Sequence, residues 1–161
     1  MIKSAGILPF RQLSGHLEVL LVHPGGPYWA KKDEGAWSIA KGEFKENEDP
    51  LQVAKREFAE ETGIVPTGEL IQLQPVRQPS GKVVHVWGLD EDVVPDVSKS
   101  NMFSMEWPPK SGRRQDFPEV DRAEWFTLEE AKRKILKGQL PFLHELQQQL
   151  VVRSSDSKHD K

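Results

Sequence analysis

Glu57, Glu60 and Glu61 are the residues of this chain whose type and spacing could do chemistry. At about 100° per residue they share one narrow face of any helix that contains them, and Leu51, Ala54 and Phe58 form an apolar stripe beside it. Like-charged pairs at these spacings cost a helix roughly 0.2 to 0.5 kcal/mol each, so three carboxylates beside a core call for a compensating cation. The plainest alternative is a solvated acidic face, which is what most charge runs are. The helix itself is well bounded: Pro50 suits a first helical position and Gly63 a terminating one. Ahead of it, Gly42 to Asp49 reads as a glycine-containing loop with an acidic turn at Glu46, Glu48 and Asp49.

The pattern around the glutamates decides against the solvated face. From Gly42 the chain runs five residues to Glu48, seven more, and then Arg56-Glu57-Phe58-Ala59-Glu60-Glu61-Thr62-Gly63-Ile64. This resembles the signature of the Nudix hydrolases at every fixed position. Phe58 stands where an aliphatic residue is usual, a difference of packing rather than chemistry. The resemblance implies the α/β class, with a Nudix-type α/β/α sandwich around a central mixed β-sheet. It also implies Mg²⁺, with Mn²⁺ as a substitute, and hydrolysis of a diphosphate linkage, X-P-P-Y, in a nucleoside diphosphate derivative.

By the same resemblance Glu60 and Glu61 are metal ligands, and Glu57 is a ligand or the base that activates the attacking water. Arg56 orients the neighbouring glutamate, a task its fixed charge and paired donors suit. Lys41 and Gly42 lie where the family brings a backbone carbonyl to the metal, and glycine allows the close approach. Glu48 steadies this unit in the family, although an acid near a helix N-terminus is favoured there by the dipole alone. A further metal ligand often comes from a distant loop. Glu119, six residues before Trp125, fits that place, with Asp116, Asp121 and Glu124 as competitors.

A chain of 161 residues is one domain by length, and residues 1–153 are read as that single domain with a polar, disordered tail at 154–161. There is no cysteine, which removes disulfide scaffolds, thiolate metal sites and cysteine nucleophiles. The first ten residues carry too short an apolar run for a signal peptide, and no stretch has the length to span a bilayer. A cytoplasmic protein without a membrane partner is therefore expected. The net charge of −3 argues against a general nucleic-acid binder and leaves a small-molecule nucleotide as the expected partner.

Other elements must position the glutamates. Ser4 to Phe10 and Leu17 to His23 read as paired strands around a Leu13-Ser14-Gly15 turn, and Trp37 to Ala40 as a short strand leading to Lys41. Residues 69–76 and 82–89 form a hairpin by pattern. Asn101 to Trp107 reads as a strand, residues 108–122 as a long loop, and residues 123–126 as a strand. Thr127 and Glu130 make a capping box for a helix that Gly138 closes, and residues 140–152 read as a last amphipathic helix.

Substrate choice lies outside the signature. The loop at residues 24–36 carries Tyr28 and Trp29, which could stack on a base, and the segment 108–122 carries Arg113 within a basic cluster that could face phosphate. Lys41 and Gly42 complete the residues expected to touch substrate. Trp-Ser-Ile-Ala-Lys-Gly-Glu at 37–43 resembles the approach to the motif in dinucleoside polyphosphate hydrolases, which ranks those substrates first. Nucleoside triphosphates follow, and then ADP-ribose or nucleotide sugars, to which Pro79 is a pointer. A catalytically silent nucleotide-sensing module is the reading from another class. It is disfavoured by retention of Glu57, Glu60 and Glu61 together.

Overall fold

The computed structural model describes residues 2–159, with side-chain surroundings up to residue 154. Strand β1 (Lys3–Leu13) and strand β2 (His16–Pro24) form the expected antiparallel pair. Ser14 and Gly15 between them both take positive φ, the conformation a two-residue hairpin turn requires. Strand β3 (Ala40–Phe44) then pairs antiparallel with the first half of β1, on the same edge as β2, Gly42 opposite Ala5. The expectation of a loop at Gly42 is thereby corrected. A glycine signals a turn locally, but here it is held in a strand by a partner distant in sequence. The strand expected at Trp37 to Ala40 is likewise displaced: Ser38 makes only an isolated bridge to Val22.

Helix α1 (Pro50–Thr62) has Pro50 in its first turn, and the Gly63 N–H, in a left-handed conformation, caps the Ala59 carbonyl. Strands β4 (Glu69–Gln72) and β5 (Val76–Arg77) both pair antiparallel with β6 (Val83–Asp90), and β6 lies parallel to β1. Strands β7 (Met102–Glu106) and β8 (Arg114–Pro118) form a separate two-stranded sheet, so the stretch 108–122 is not a loop but the tip and second strand of a hairpin arm, followed from Val120 by the next strand. Its charged, exposed residues lack the alternation by which strands are recognised. Strand β9 (Val120–Thr127) pairs with β2 and closes the main sheet in the order β4-β6-β1-β2-β9.

The mixed sheet is covered on both faces. Successive side chains of β1 point to opposite sides. Ala5 and Ile7 pack with Val53, Ala54 and Phe58 of α1, while Leu8 and Phe10 pack under α2 (Leu128–Lys134) and α3 (Leu140–His159) through Ala131, Phe142, Leu143 and Leu146. Phe58 is fully buried, so its truncation to alanine would cost about 3–5 kcal/mol. The Thr127–Glu130 capping box is present, but α2 ends at the buried Ile135 rather than at Gly138, which lies in a short 3₁₀ turn. Helix α3 continues to His159, into the segment expected as a tail, whose last two residues lie outside those described. No helix among the described residues is long and apolar enough to cross a membrane.

Candidate active site

Helix α1 lies across β1 and β3 with Val53, Ala54, Phe58 and Thr62 turned into the core, and this orientation carries Glu57, Glu60 and Glu61 along its edge. Glu57 rests over Gly42. A Cβ on Gly42 would fall 2.2 Å from the Glu57 Cδ and 2.4 Å from its Cγ, so the glycine leaves the space that the carboxylate fills. Only a residue without a side chain permits that contact.

Glu61 is the most enclosed of the three, 9% exposed, and its Oε2 is buried without a hydrogen-bond partner. Burial, together with the charges of Glu57 and Glu119, pushes its carboxyl up to about 8. Glu57 is also raised, by burial first and then by Glu60, while Arg56 opposes the rise. An orphaned, half-repelled carboxylate inside a fold is costly unless a cation completes it. Among the described residues the acidic side chains do not close into a ready-made cage of three ligands. An open set of hard oxygen donors suits Mg²⁺, which keeps several waters and uses substrate phosphates as ligands. The residues present therefore fit a divalent cation, with Glu57, Glu60 and Glu61 the groups that would hold it.

Arg56 braces the cluster. Its Nη1 lies 3.4 Å from Glu48 Oε2 and its Nη2 3.7 Å from Glu57 Oε1. Glu48 in turn accepts the backbone N–H of Lys45 at 3.0 Å, and that bond, with Arg56, holds its carboxyl below the usual range. Glu48 thus ties the turn after β3 to the helix.

Glu119, in the bend between β8 and β9, joins the cluster by its charge, which contributes to the raised values at Glu57 and Glu61. Its backbone N–H donates to the Asn101 carbonyl at 2.8 Å, and the Asn101 side-chain amide donates to Glu60 Oε2 at 3.3 Å. Asn101 therefore links two of the acids, a role that nothing in its sequence surroundings announced. Of the competitors, Asp121 faces Nδ1 of the buried His23 at 2.8 Å, and Asp116 and Glu124, exposed as Glu119 is, are not among the charges that raise Glu57 and Glu61.

Lys41 sits opposite Gly6 on β3. Its amine is lowered from the ordinary lysine value by burial and then by the neighbouring Lys82, with Glu61 opposing. Two ammonium groups brought together beside an acidic cluster make a place for an anion. Lys82, which the sequence did not single out, enters because β6 runs parallel to β1 and begins level with the end of β3, across β1 from it. Its Nζ also lies 3.6 Å from Glu43.

Tyr28 and Trp29 lie in the loop after β2 and line a cleft of about 430 Å³ whose other wall is β7 and whose edge includes Glu119. Arg113 is elsewhere, at the tip of the β7–β8 arm, where Arg114 pairs with Glu106. Glu119 follows the base of that arm, so the five residues of β8 lie between the two, roughly 20 Å along the strand. His85, a possible ligand contact by sequence, packs edge-on against Phe44 at 5.7 Å.

The profile of the NUDIX domain matches residues 2–146. No curated protein matches the sequence closely enough to be compared. Among solved structures, an Ap4A hydrolase of C. elegans in a binary complex is 23% identical, with a TM-score of 0.62 over 94% of this chain and 98% of that one. The NUDIX domain of Shewanella oneidensis NrtR, complexed with ADP ribose, is 20% identical, with a TM-score of 0.63 over 92% and 87%. A mutT/nudix family protein from Listeria innocua is 18% identical, with a TM-score of 0.61 over 94% and 94%.

Proposed function

The chain belongs to the Nudix family, and from that premise we propose that it hydrolyses the diphosphate linkage of a dinucleoside polyphosphate, using Mg²⁺ held by Glu57, Glu60 and Glu61. The observation that carries the proposal is the buried, unpartnered Oε2 of Glu61 beside two further acids of α1. When bound, the cation neutralises phosphate charge and makes water a better nucleophile.

The chain's own residues do the rest. Glu57 accepts the proton of the attacking water: Gly42 leaves its carboxylate room, Arg56 fixes one of its oxygens, and burial raises its affinity for a proton. Glu48 keeps Arg56 in place. Lys41 and Lys82 bind phosphate oxygens, and a chain of several phosphates offers more of these than a single diphosphate does. That pair, with an aromatic-lined cleft on the far side of Glu119, favours a long polyphosphate carrying a nucleoside over a simple nucleotide sugar.

Glu57→Gln tests the proposal. The carboxamide keeps the shape and removes the base, so turnover at saturating Mg²⁺ should fall by roughly 10²-fold or more with the thermal melt unchanged. An unaltered rate would remove Glu57 from the mechanism.

A further inference from the structure

Near the end of β2, His23 is fully buried, and no step of the proposed reaction uses it. Both nitrogens of its ring face oxygen: Nδ1 lies 2.8 Å from Asp121 Oδ1, and Nε2 lies 2.7 Å from the Lys32 carbonyl oxygen. A carbonyl only accepts, so Nε2 carries a proton. Asp121, with 32% of its side chain open to water, accepts the other as a carboxylate. The ring is then an imidazolium with each N–H satisfied, the condition on which a charge is tolerated inside a fold. Trp37 packs against it, T-shaped at 5.1 Å.

The two hydrogen-bond partners belong to segments that meet on the substrate side of the acids. Pairing of β2 with β9 runs from His23–Arg122 to Pro24–Val120, which leaves Asp121 as an extra residue in β9. Such a bulge bends the strand and re-aims a side chain. Here the re-aimed side chain is the Asp121 carboxylate, and the bend lies two residues after Glu119. At the other nitrogen, Lys32 ends a turn in which its N–H donates to the Trp29 carbonyl at 2.9 Å. The start of the same loop is seated by Gly25, whose N–H donates to the Glu119 carbonyl at 3.0 Å. A Cβ there would fall 1.9 Å from the Pro118 carbonyl oxygen, so the approach requires glycine. One buried ring thus ties the bulge to the loop, and both to the backbone of Glu119.

We propose that His23 is a positioning residue, a doubly protonated clamp between the β9 bulge and the loop after β2 that sets Glu119 and that loop relative to the acids of α1. The inference rests on the proposed hydrolysis and adds to it the group that keeps the substrate side of the site in register. A bulged residue without its partner leaves the strand free to shift, and a displacement of about 1 Å at a site costs on the order of 10²-fold. Because the clamp does not hold the base, Glu57, the loss falls on substrate binding rather than on turnover.

Asp121, being partly exposed, is the place to break the clamp without emptying the core. Asp121→Ala leaves Nδ1 without a partner. Asp121→Asn closes the clamp around a neutral ring, its amide donating to Nδ1 while Nε2–H still donates to Lys32. The experiment compares these two variants with wild type, and thermal melts verify that they fold. Nitrogen NMR of the imidazole reads the ring: both His23 nitrogens should be bonded to hydrogen in wild type at neutral pH, and Nε2 alone in Asp121→Asn. Amide exchange at Gly25 reads the seating of the loop and should be about tenfold faster or more in Asp121→Ala, with Asp121→Asn as wild type. With diadenosine tetraphosphate and Mg²⁺, Asp121→Ala should raise KM about 10- to 100-fold with kcat held, and Asp121→Asn should stay close to wild type.

A single protonated ring nitrogen in wild type, or an unchanged KM and unchanged Gly25 exchange in Asp121→Ala, would overturn the inference. So would equal losses in the two variants, since the Asp121 charge would then act on the site directly and not through His23. If wild type hydrolyses nothing, the hydrolytic reading fails, while the ring protons and the Gly25 exchange still decide the clamp.

Discussion

Glu61→Gln should stabilise the metal-free protein at alkaline pH and abolish its stabilisation by Mg²⁺. The Glu61 carboxyl, ordinarily near 4.5, is pushed up to about 8 by burial and then by Glu57 and Glu119. Between those two values the folded state holds a proton that the unfolded state has released. Stability therefore falls as pH rises, by about 1.4 kcal/mol per pH unit. The interval spans about 3.5 pH units, so the loss reaches at most about 5 kcal/mol; it is absent below pH 4.5 and complete above about 8.

The glutamine variant has no such titration. At pH 5 the two proteins should agree within about 1 kcal/mol, and at pH 9 the variant should be the more stable by several kcal/mol, on the order of 10 °C in Tm for a chain of this size. With Mg²⁺ at about a hundred times its Kd, wild type should recover about 2.7 kcal/mol, and more at high pH than at low because the proton competes with the cation. Thermal melts at pH 5, 7 and 9, each with chelator or with Mg²⁺, provide the readout. Parallel pH curves for the two proteins, or an equal response to Mg²⁺, would refute the reasoning.

Two further outcomes concern the frame around the acids. Gly42→Ala places a methyl group where the Glu57 carboxylate lies, so kcat should fall about 10²-fold as Glu57 is displaced, with a stability cost of roughly 1–3 kcal/mol measured by denaturant titration. Arg56→Lys keeps the charge but loses the fork between Glu48 and Glu57. Its half-exposed ion pairs make the stability change smaller than about 1 kcal/mol, while activity should drop roughly 10- to 100-fold, a split visible by comparing melts with initial rates.

The parts of the site legible in the sequence are those written locally. Pro50 and Gly63 mark the ends of α1, and the spacing of Glu57, Glu60 and Glu61 puts them on the face beside Phe58, as found. Thr127 and Glu130 likewise announce the start of α2. The sandwich and its mixed sheet followed from the resemblance and are what the structure has.

What was not legible depends on pairing between distant strands. Gly42 looks like a loop residue until β1 supplies its partner, and Lys82 acquires meaning only because β6 lies parallel to β1. Strand β7 was legible within Asn101 to Trp107, but its partner β8 hides in a charged stretch that buries little, so no hydrophobic alternation marks it. Asn101 lies in the expected strand, and its tie to Glu60 appears only once that segment is folded back beside α1. Arg113 was placed among candidate phosphate contacts by charge alone, and the arm carries it to its own tip.

Cleavage of a diphosphate linkage in the presence of a divalent cation is the property on which every role given to the acids of α1 depends. The direct measurement is incubation with Mg²⁺, and in parallel Mn²⁺, of a panel of diadenosine polyphosphates, nucleoside triphosphates, ADP-ribose and capped RNA, with products separated by chromatography. The expected result is metal-dependent cleavage, fastest for the diadenosine polyphosphates, yielding two nucleotide products. Intact substrates across the whole panel with either cation would contradict it, and would make the acidic cluster of α1 a binding site rather than a catalytic one.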